Sequence, residues 1–481
     1  MNTFKRKSLY AALAGVSALG VTSAAQAVNV NPNGLGQVLL YPYYTVRADN
    51  LINPYNSLLS VVNSTNSVKA VKVRFVEGVD SQEVLDFNLF LSPNDVWTTA
   101  ILPDVGGGGK IVTTDKSCTL PAIPAGGQAF VNFQYAGSNN DGGTDSIDRT
   151  KEGYVEIIEM ATYIPGSTTA VASTHVGGTP PCGAKLSDAT AAAEAQAPGG
   201  GLFGGISLIN VLSGTDYTED AVALDNFSTS QIYSPSGVIT PTLQQANPPV
   251  SQVLANGKVY TSTWNGGTSP PVANLADPVS AVLMHQQVLN EFVLDSATKS
   301  GTDWVVTMPT KHYYSLPGTG LAPKLFQRNF NKSAFACDDV QLDIFDREEF
   351  TAPTSFSPPP PSQTNSLCYE ANVVTFANSN LLGSKNVTNV PTTFQDGWLR
   401  IGFLQIAAAP NAHILLNNTG TTITTIGGIS TFNQNVTYFG LPVIGFALQD
   451  FVNGVLPNGS QFIQSSYGGN FVQKATTTVF P

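Results

Sequence analysis

The sequence predicts a mainly β protein, built of antiparallel β-sandwich-like sheets with one packed α-helix and long Pro/Gly-rich loops. Three observations carry this expectation. Short runs alternate apolar and polar side chains; turn residues separate them at intervals of roughly ten residues; and only one stretch shows a sustained helical spacing with a start signal.

The chain opens on an export label. Lys5, Arg6 and Lys7 precede an apolar stretch from Leu9 to Val21, and Ala25-Gln26-Ala27 supplies the small residues that a signal peptidase accepts. Residues 1–27 are therefore read as a signal peptide and excluded from the fold. No later apolar run has the length of a transmembrane helix, so none is expected after cleavage.

The clearest β pattern follows. Leu40 to Arg47 is an aromatic-rich strand, Leu58 to Val62 is a second, and Asn63 to Asn66 is a turn. Lys69 to Glu77 places Val71, Val73 and Phe75 inward, with Lys72 and Arg74 outward on a face expected to be wet. Val84 to Leu91 continues the sheet, and Ser92-Pro93-Asn94-Asp95 turns it into Val96 to Leu102. Gln128 to Tyr135, Gly153 to Tyr163, Gly205 to Leu212 and Ala221 to Leu224 complete an N-terminal sandwich region, 28–227. An Ala-rich helical turn is expected between Ala191 and Gly201.

Ser228 to Ala276, rich in Pro, Ser, Thr and Asn, reads as a linker or long insertion. The expected helix comes next: Asp277 as N-cap, Pro278 at the first helical position, then Val279, Val282, Leu283, Val288, Leu289 and Phe292, to about Leu294. The rest of 277–481 returns to β, with strands expected at Thr302–Met308, Leu321–Phe330, Val340–Phe345, Asn372–Ala377, Trp398–Ile406, His413–Leu416, Val436–Phe446 and Asn470–Thr476. Ser357 to Ser362, with four consecutive prolines, is a rigid excursion that no sheet interior accepts.

Composition narrows the function. Charged residues are 11% of the chain, against roughly 25% in average globular proteins, so Ser, Thr, Asn and Gly fill the polar positions. The formal net charge of −11 becomes −14 once the three basic residues of the export label are subtracted. That balance repels phosphate backbones and argues against a nucleic-acid partner. The four cysteines, Cys118, Cys182, Cys337 and Cys368, would oxidise in an exported chain, and neighbours in sequence are the expected pairs, Cys118 with Cys182 and Cys337 with Cys368. Zinc is not expected, because there is no C-x-x-C and His175, His285, His312 and His413 are scattered.

Candidate chemistry is thin. Gly106 to Lys110 suggests a phosphate loop, but Asp104 stands where a glycine is required and Ile111 where the Ser/Thr should follow the lysine. Ser296-Ala297-Thr298-Lys299 matches S-x-x-K but follows the expected helix instead of opening one. Glu152, Glu156 and Glu159, and the run Asp346-Arg347-Glu348-Glu349, offer carboxylates for glycoside hydrolysis, against the plainer reading of a solvated face or ion pairs. Asp141, Asp145 and Asp148 sit in an Asn/Asp/Gly-rich turn with the oxygen ligands that Ca2+ prefers, although the spacing misses the EF-hand and a plain Asx-rich turn is favoured. No other cofactor is expected, and no catalytic residue is assigned.

Several segments together resemble a group of uncharacterised exported or cell-surface proteins of Gram-negative bacteria: Leu40–Thr45, Lys69–Glu77, Val84–Trp97, Glu152–Met160, Gly301–Lys311, Leu441–Gln449 and Tyr467–Phe471. The resemblance spans most of the mature chain and implies one architecture, but no established chemistry. The matching pieces are strand cores and bends, which read as fold determinants. The functional expectation is a secreted or cell-surface structural or adhesive protein, extracellular or periplasmic, that associates with itself, other surface proteins or glycans. Strand addition through a mobile Val28–Tyr44 segment is the expected assembly mode. Two alternatives stay open: an outer-membrane β-barrel, and a polysaccharide-binding protein or hydrolase using Tyr41, Tyr43, Tyr44 and Trp264 as sugar platforms.

Overall fold

Alternating side chains do build sheets here. The computed structural model describes residues 26–49, 53–264, 274–315, 325–330, 336–349, 363–403, 412–425, 428–458 and 461–481. Strand makes up 49% and helix 9% of the described residues, so the mainly β class holds. The export label up to residue 25, the four-proline run and the expected strand residues Leu321–Lys324 lie outside the described residues.

A seven-stranded antiparallel sheet runs in the order Asn29–Val30, Val222–Asp225, Val38–Thr45, Glu152–Tyr163, Val68–Glu77, Glu83–Leu91, Cys118–Leu120. A six-stranded sheet, Thr215–Asp220, Leu202–Asn210, Asn56–Asn63, Val96–Pro103, Gly109–Val112 and Gln128–Ala129, shares a core with it that includes Leu39, Tyr41, Val73, Phe75, Leu59 and Trp97. The C-terminal half repeats the plan. Gln363–Leu367, Asp338–Asp346, Asp396–Gly402, Gln287–Val293 and Lys474–Thr476 form one five-stranded sheet. Val387–Val390, Ala371–Phe376, Gly301–Thr307, Ile444–Asn458 and Gln461–Val472 form the other. Phe292, Leu342, Leu399 and Ile401 of the first meet Trp304, Val306, Val374 and Phe376 of the second in one core.

The halves are fused. On the opposite face of Gly301–Thr307 and its neighbours, Val305, Val373, Phe446 and Leu448 join the N-terminal core. Gly383 shows how close the approach is: its φ is +60°, and a Cβ there would stand 1.8 Å from the Ala48 carbonyl oxygen. Only glycine fits both demands.

Several expectations need correction. The helix is short, Asp277–Leu283, with Ala276 as its N-cap and Asp277 inside the first turn, where it accepts a hydrogen bond from the Tyr314 hydroxyl at 2.6 Å. Met284–His285 and Gln287–Val293 are strands, because Val288, Asn290 and Phe292 also fit a period of two and pair with Asp396–Gly402. The Ala-rich turn begins upstream, at Asp188–Glu194, since the Ser187 side chain caps it by accepting from the Thr190 N–H. Gln128 to Tyr135 shrinks to Gln128–Ala129, and residues 325–330 are not strand.

Of the expected linker or insertion Ser228–Ala276, the described residues 228–264 and 274–276 are packed into the fold. Val250–Ala255 and Lys258–Thr263 form a hairpin extended by Thr421–Thr425 and Ser430–Asn433. Upstream, Ile232 N–H donates to the Met160 carbonyl at 3.0 Å, and Asn88 Nδ2 donates to the Ser234 carbonyl at 2.9 Å, so residues 228–245 lie over the seven-stranded sheet. The face of Lys72 and Arg74 is therefore dry: every residue of Val68–Glu77 is buried.

Nor is Val28–Tyr44 mobile. Val38–Thr45 is a fully buried interior strand, Asn29–Val30 pairs with Leu224–Asp225, and Val28 donates to the Val250 carbonyl while accepting from Gln252 N–H, both at 2.8 Å.

Candidate functional site

Burying a charged sheet face requires partners, and the neighbouring strands supply them. Register places Arg74 opposite Glu156 on one side and Asp86 on the other, and Lys72 opposite Asn88. Lys72 Nζ reaches Asp86 at 2.9 Å and the Val238 carbonyl at 3.0 Å. Arg74 Nε reaches Glu83 at 2.9 Å, and its Nη1 bonds Glu156. Lys69 meets Glu159 at 2.6 Å, and the Gly199 and Gly200 N–H groups donate to the same carboxylate at 2.9 and 2.8 Å. Glu152 accepts from Arg47 Nε, from the Tyr43 hydroxyl at 2.7 Å and from Lys385 N–H at 3.0 Å. Glu152, Glu156 and Glu159, expected as possible catalytic carboxylates, are thus anchors of internal ion pairs.

Arg74, with its partners Glu83 and Glu156, borders a cavity of about 260 Å³. It opens beside the turn between Val68–Glu77 and Glu83–Leu91. Glu77 organises that turn by accepting from the N–H groups of Val79, Asp80 and Gln82 at 2.8, 3.1 and 3.1 Å. Burial pushes the Glu77 carboxyl up, but the Arg149 guanidinium, at 2.9 Å, and these donors outweigh it and hold it low. Asp80, also paired with Arg149 at 2.8 Å, is pushed well up by burial and then by Glu77. Ser81 takes φ +61° at the tip, and its hydroxyl lies 2.7 Å from the Tyr154 hydroxyl and bonds the Glu370 carboxyl group.

The C-terminal half closes the other side. His312 Nδ1 is 2.7 Å from the Asp80 carbonyl oxygen. A carbonyl only accepts, so Nδ1 carries the proton and Nε2 keeps its lone pair. Burial lowers the His312 pKa, which keeps the ring neutral. Tyr154 donates to the Pro309 carbonyl at 3.2 Å. Arg74, Glu83, Tyr154 and Glu156 form the buried floor, while Gln82, Ile239, Thr240, Gln244 and Gln245 stand at the partly exposed rim.

Chemically, the cavity joins buried ion-paired groups to a partly exposed rim of amide and hydroxyl side chains. Burial pushes Glu370 up to about 8, which favours its protonated form at neutral pH.

The three aspartates of the Asn/Asp/Gly-rich turn have partners within the protein. Asp141 pairs with Arg149 at 2.8 Å; Asp148 pairs with Arg47 at 2.9 Å, Lys151 at 2.9 Å and Lys385 at 2.7 Å; and Asp145 is hydrogen-bonded by Asn140. Cationic side chains neutralise two of the three carboxylates, and among the described residues no group of three His, Cys, Asp or Glu could hold a metal ion. The four histidines have separate settings, His175 near Asp95, His285 at Thr477, His312 at Asp80 and His413 near Asp338. Cys118 is bonded to Cys182, and Cys337 to Cys368.

The remaining sequence candidates do not converge. Gly106 to Lys110 is a loop entering a strand, with Lys110 3.9 Å from Asp104. Ser296 to Lys299 forms a turn held by Asp295. Arg347 pairs with Glu348 and Asp396 on an exposed surface. Tyr41, Tyr43, Tyr44 and Trp264 are buried and offer no sugar platform. Tyr154 and Glu370 belong to no chemical motif in the sequence, and His312 is one of its four scattered histidines. Comparison with protein-family models, curated proteins and solved structures finds no match.

Proposed function

We propose that the chain is an exported cell-surface or extracellular protein that acts as a rigid β scaffold, structural or adhesive, and not through catalysis. The supporting observation is where its charges lie. The carboxylates and cations of the central strands are joined to one another inside the fold, in a chain of which only 11% is charged. Two disulfides fit an oxidising compartment. Among the described residues no helix is long and apolar enough to cross a membrane.

The test is to treat intact cells with a non-permeant biotin reagent and sequence the N-terminus of the recovered chain. A labelled chain beginning at Val28 with all four thiols blocked is expected. Recovery from the cytosol, uncleaved and with free thiols, overturns the reading.

Assembly by strand addition belongs to the same proposal, but through a different strand. Gln461–Val472 is the outer strand of its sheet, with Tyr467, Phe471 and Val472 exposed. Sedimentation should show concentration-dependent association with a second copy that Val472→Lys weakens; a monomer at every concentration refutes it.

A further inference from the structure

We propose that the cavity between the Glu77–Glu83 turn, residues 239–245 and the Pro309–Tyr313 segment binds one neutral sugar ring. The inference goes beyond the scaffold reading, and its test reads binding directly, whatever the cell compartment.

Size comes first. At about 260 Å³ the cavity falls below the roughly 300–1,000 Å³ of clefts that enclose drug-sized ligands, which limits an occupant to about one ring.

The floor fixes polarity. Arg74 holds Glu83 through Nε and Glu156 through Nη1, so three planar polar groups are locked in place before any ligand arrives. Planar guanidinium and carboxylate groups present paired hydrogen-bonding positions that suit adjacent hydroxyls, and such preorganisation lowers the entropic cost of binding. The rim adds the amides of Gln82, Gln244 and Gln245, the hydroxyls of Thr240 and Thr242, and the His312 ring with its Nε2 acceptor. Tyr313 and Ile239 add apolar surface for the C–H faces of a ring.

Charge selects against the other polar classes. An anion would meet Glu83 and Glu156, and a cation would compete with Arg74 for carboxylates it already holds. A neutral polyol adds donors and acceptors without adding an unpaired charge to a mostly buried site.

The experiment is saturation-transfer NMR on the mature chain with D-glucose, D-galactose, D-mannose and N-acetylglucosamine, with glucuronate and glucosamine as charged controls. Saturation of at least one neutral sugar, with a Kd on the order of 1 mM, is expected. Gln82→Ala and Gln244→Ala, both at partly exposed positions, should together weaken it at least tenfold with the melting temperature retained. No transfer to any neutral sugar at 50 mM (about fifty times that Kd), stronger transfer to a charged control, or binding indifferent to the double substitution overturns the proposal.

Discussion

Two strands of similar alternation meet opposite fates. In Asp338–Asp346 the inward Val340, Leu342 and Ile344 are buried, while Asp339, Gln341 and Asp343 stay partly exposed. In Val68–Glu77 the residues between Val71, Val73 and Phe75 are Lys72 and Arg74, and they are as buried as the valines. Alternation tells which residues share a face; it does not tell what covers that face. In the C-terminal strand the polar face meets water, whereas in the N-terminal strand residues 228–245 and the 309–313 segment lie over it, and ion pairs replace hydration.

The contrast breaks most sharply at Arg74. Removing it as Arg74→Ala leaves Glu83 and Glu156 buried without their cation, and a loss of about 3–5 kcal/mol in denaturant unfolding is expected. Replacing the set together, Arg74→Met with Glu83→Gln and Glu156→Gln, should recover most of that loss, because no uncompensated charge remains. A loss below about 1 kcal/mol for the single substitution would mean that the face is hydrated.

On the C-terminal side the equivalent test is apolar. Leu399→Ala, in the core between the two five-stranded sheets, should cost about 2–5 kcal/mol and depend little on pH or salt.

A third test uses pH. Burial raises Glu370 from its ordinary 4.5 to about 8, so between those values the folded chain holds a proton that the unfolded chain has released. Its contribution is full below about pH 4.5 and is lost as pH rises through 8. Glu370→Gln, neutral at every pH, should flatten the decline in melting temperature between pH 5 and 8, by an amount equivalent to ~2–4 kcal/mol. Parallel profiles for the two proteins would contradict this.

The smallest effect is expected at Arg400. It grips Asp343 at 2.8 and 2.9 Å, yet it is 36% exposed, so Arg400→Ala should cost under about 1 kcal/mol. A cost matching that of Arg74 would erase the distinction between the two faces.

Much of the β plan was legible in the sequence, because alternation and turn residues are local signals: Val84–Leu91 and Val96–Leu102 fall within one residue of the observed bounds. The helix was over-extended because Val288, Leu289 and Phe292 satisfy periods of 3.6 and 2 alike, and sheet pairing with Asp396–Gly402 decides between them. Burial of the second face was not legible, since its cover comes from residues more than 150 positions away. One signal was present nonetheless. Val68–Glu77 carries Lys69 and Arg74, while Glu152–Tyr163 carries Glu159 and Glu156, opposite charges that favour cross-strand pairing. The cavity had no such signal, because its floor and rim come from separate stretches that only the fold brings together.

The most direct measurement of the dry, ion-paired face is amine labelling of the folded protein, read lysine by lysine by peptide mass spectrometry. Lys69 and Lys72 have essentially no exposed side-chain surface, whereas Lys385 is 68% exposed. Protection of Lys69 and Lys72, with rapid labelling of Lys385 and Lys474, is the expected result; Lys72 reacting as fast as Lys385 would contradict it.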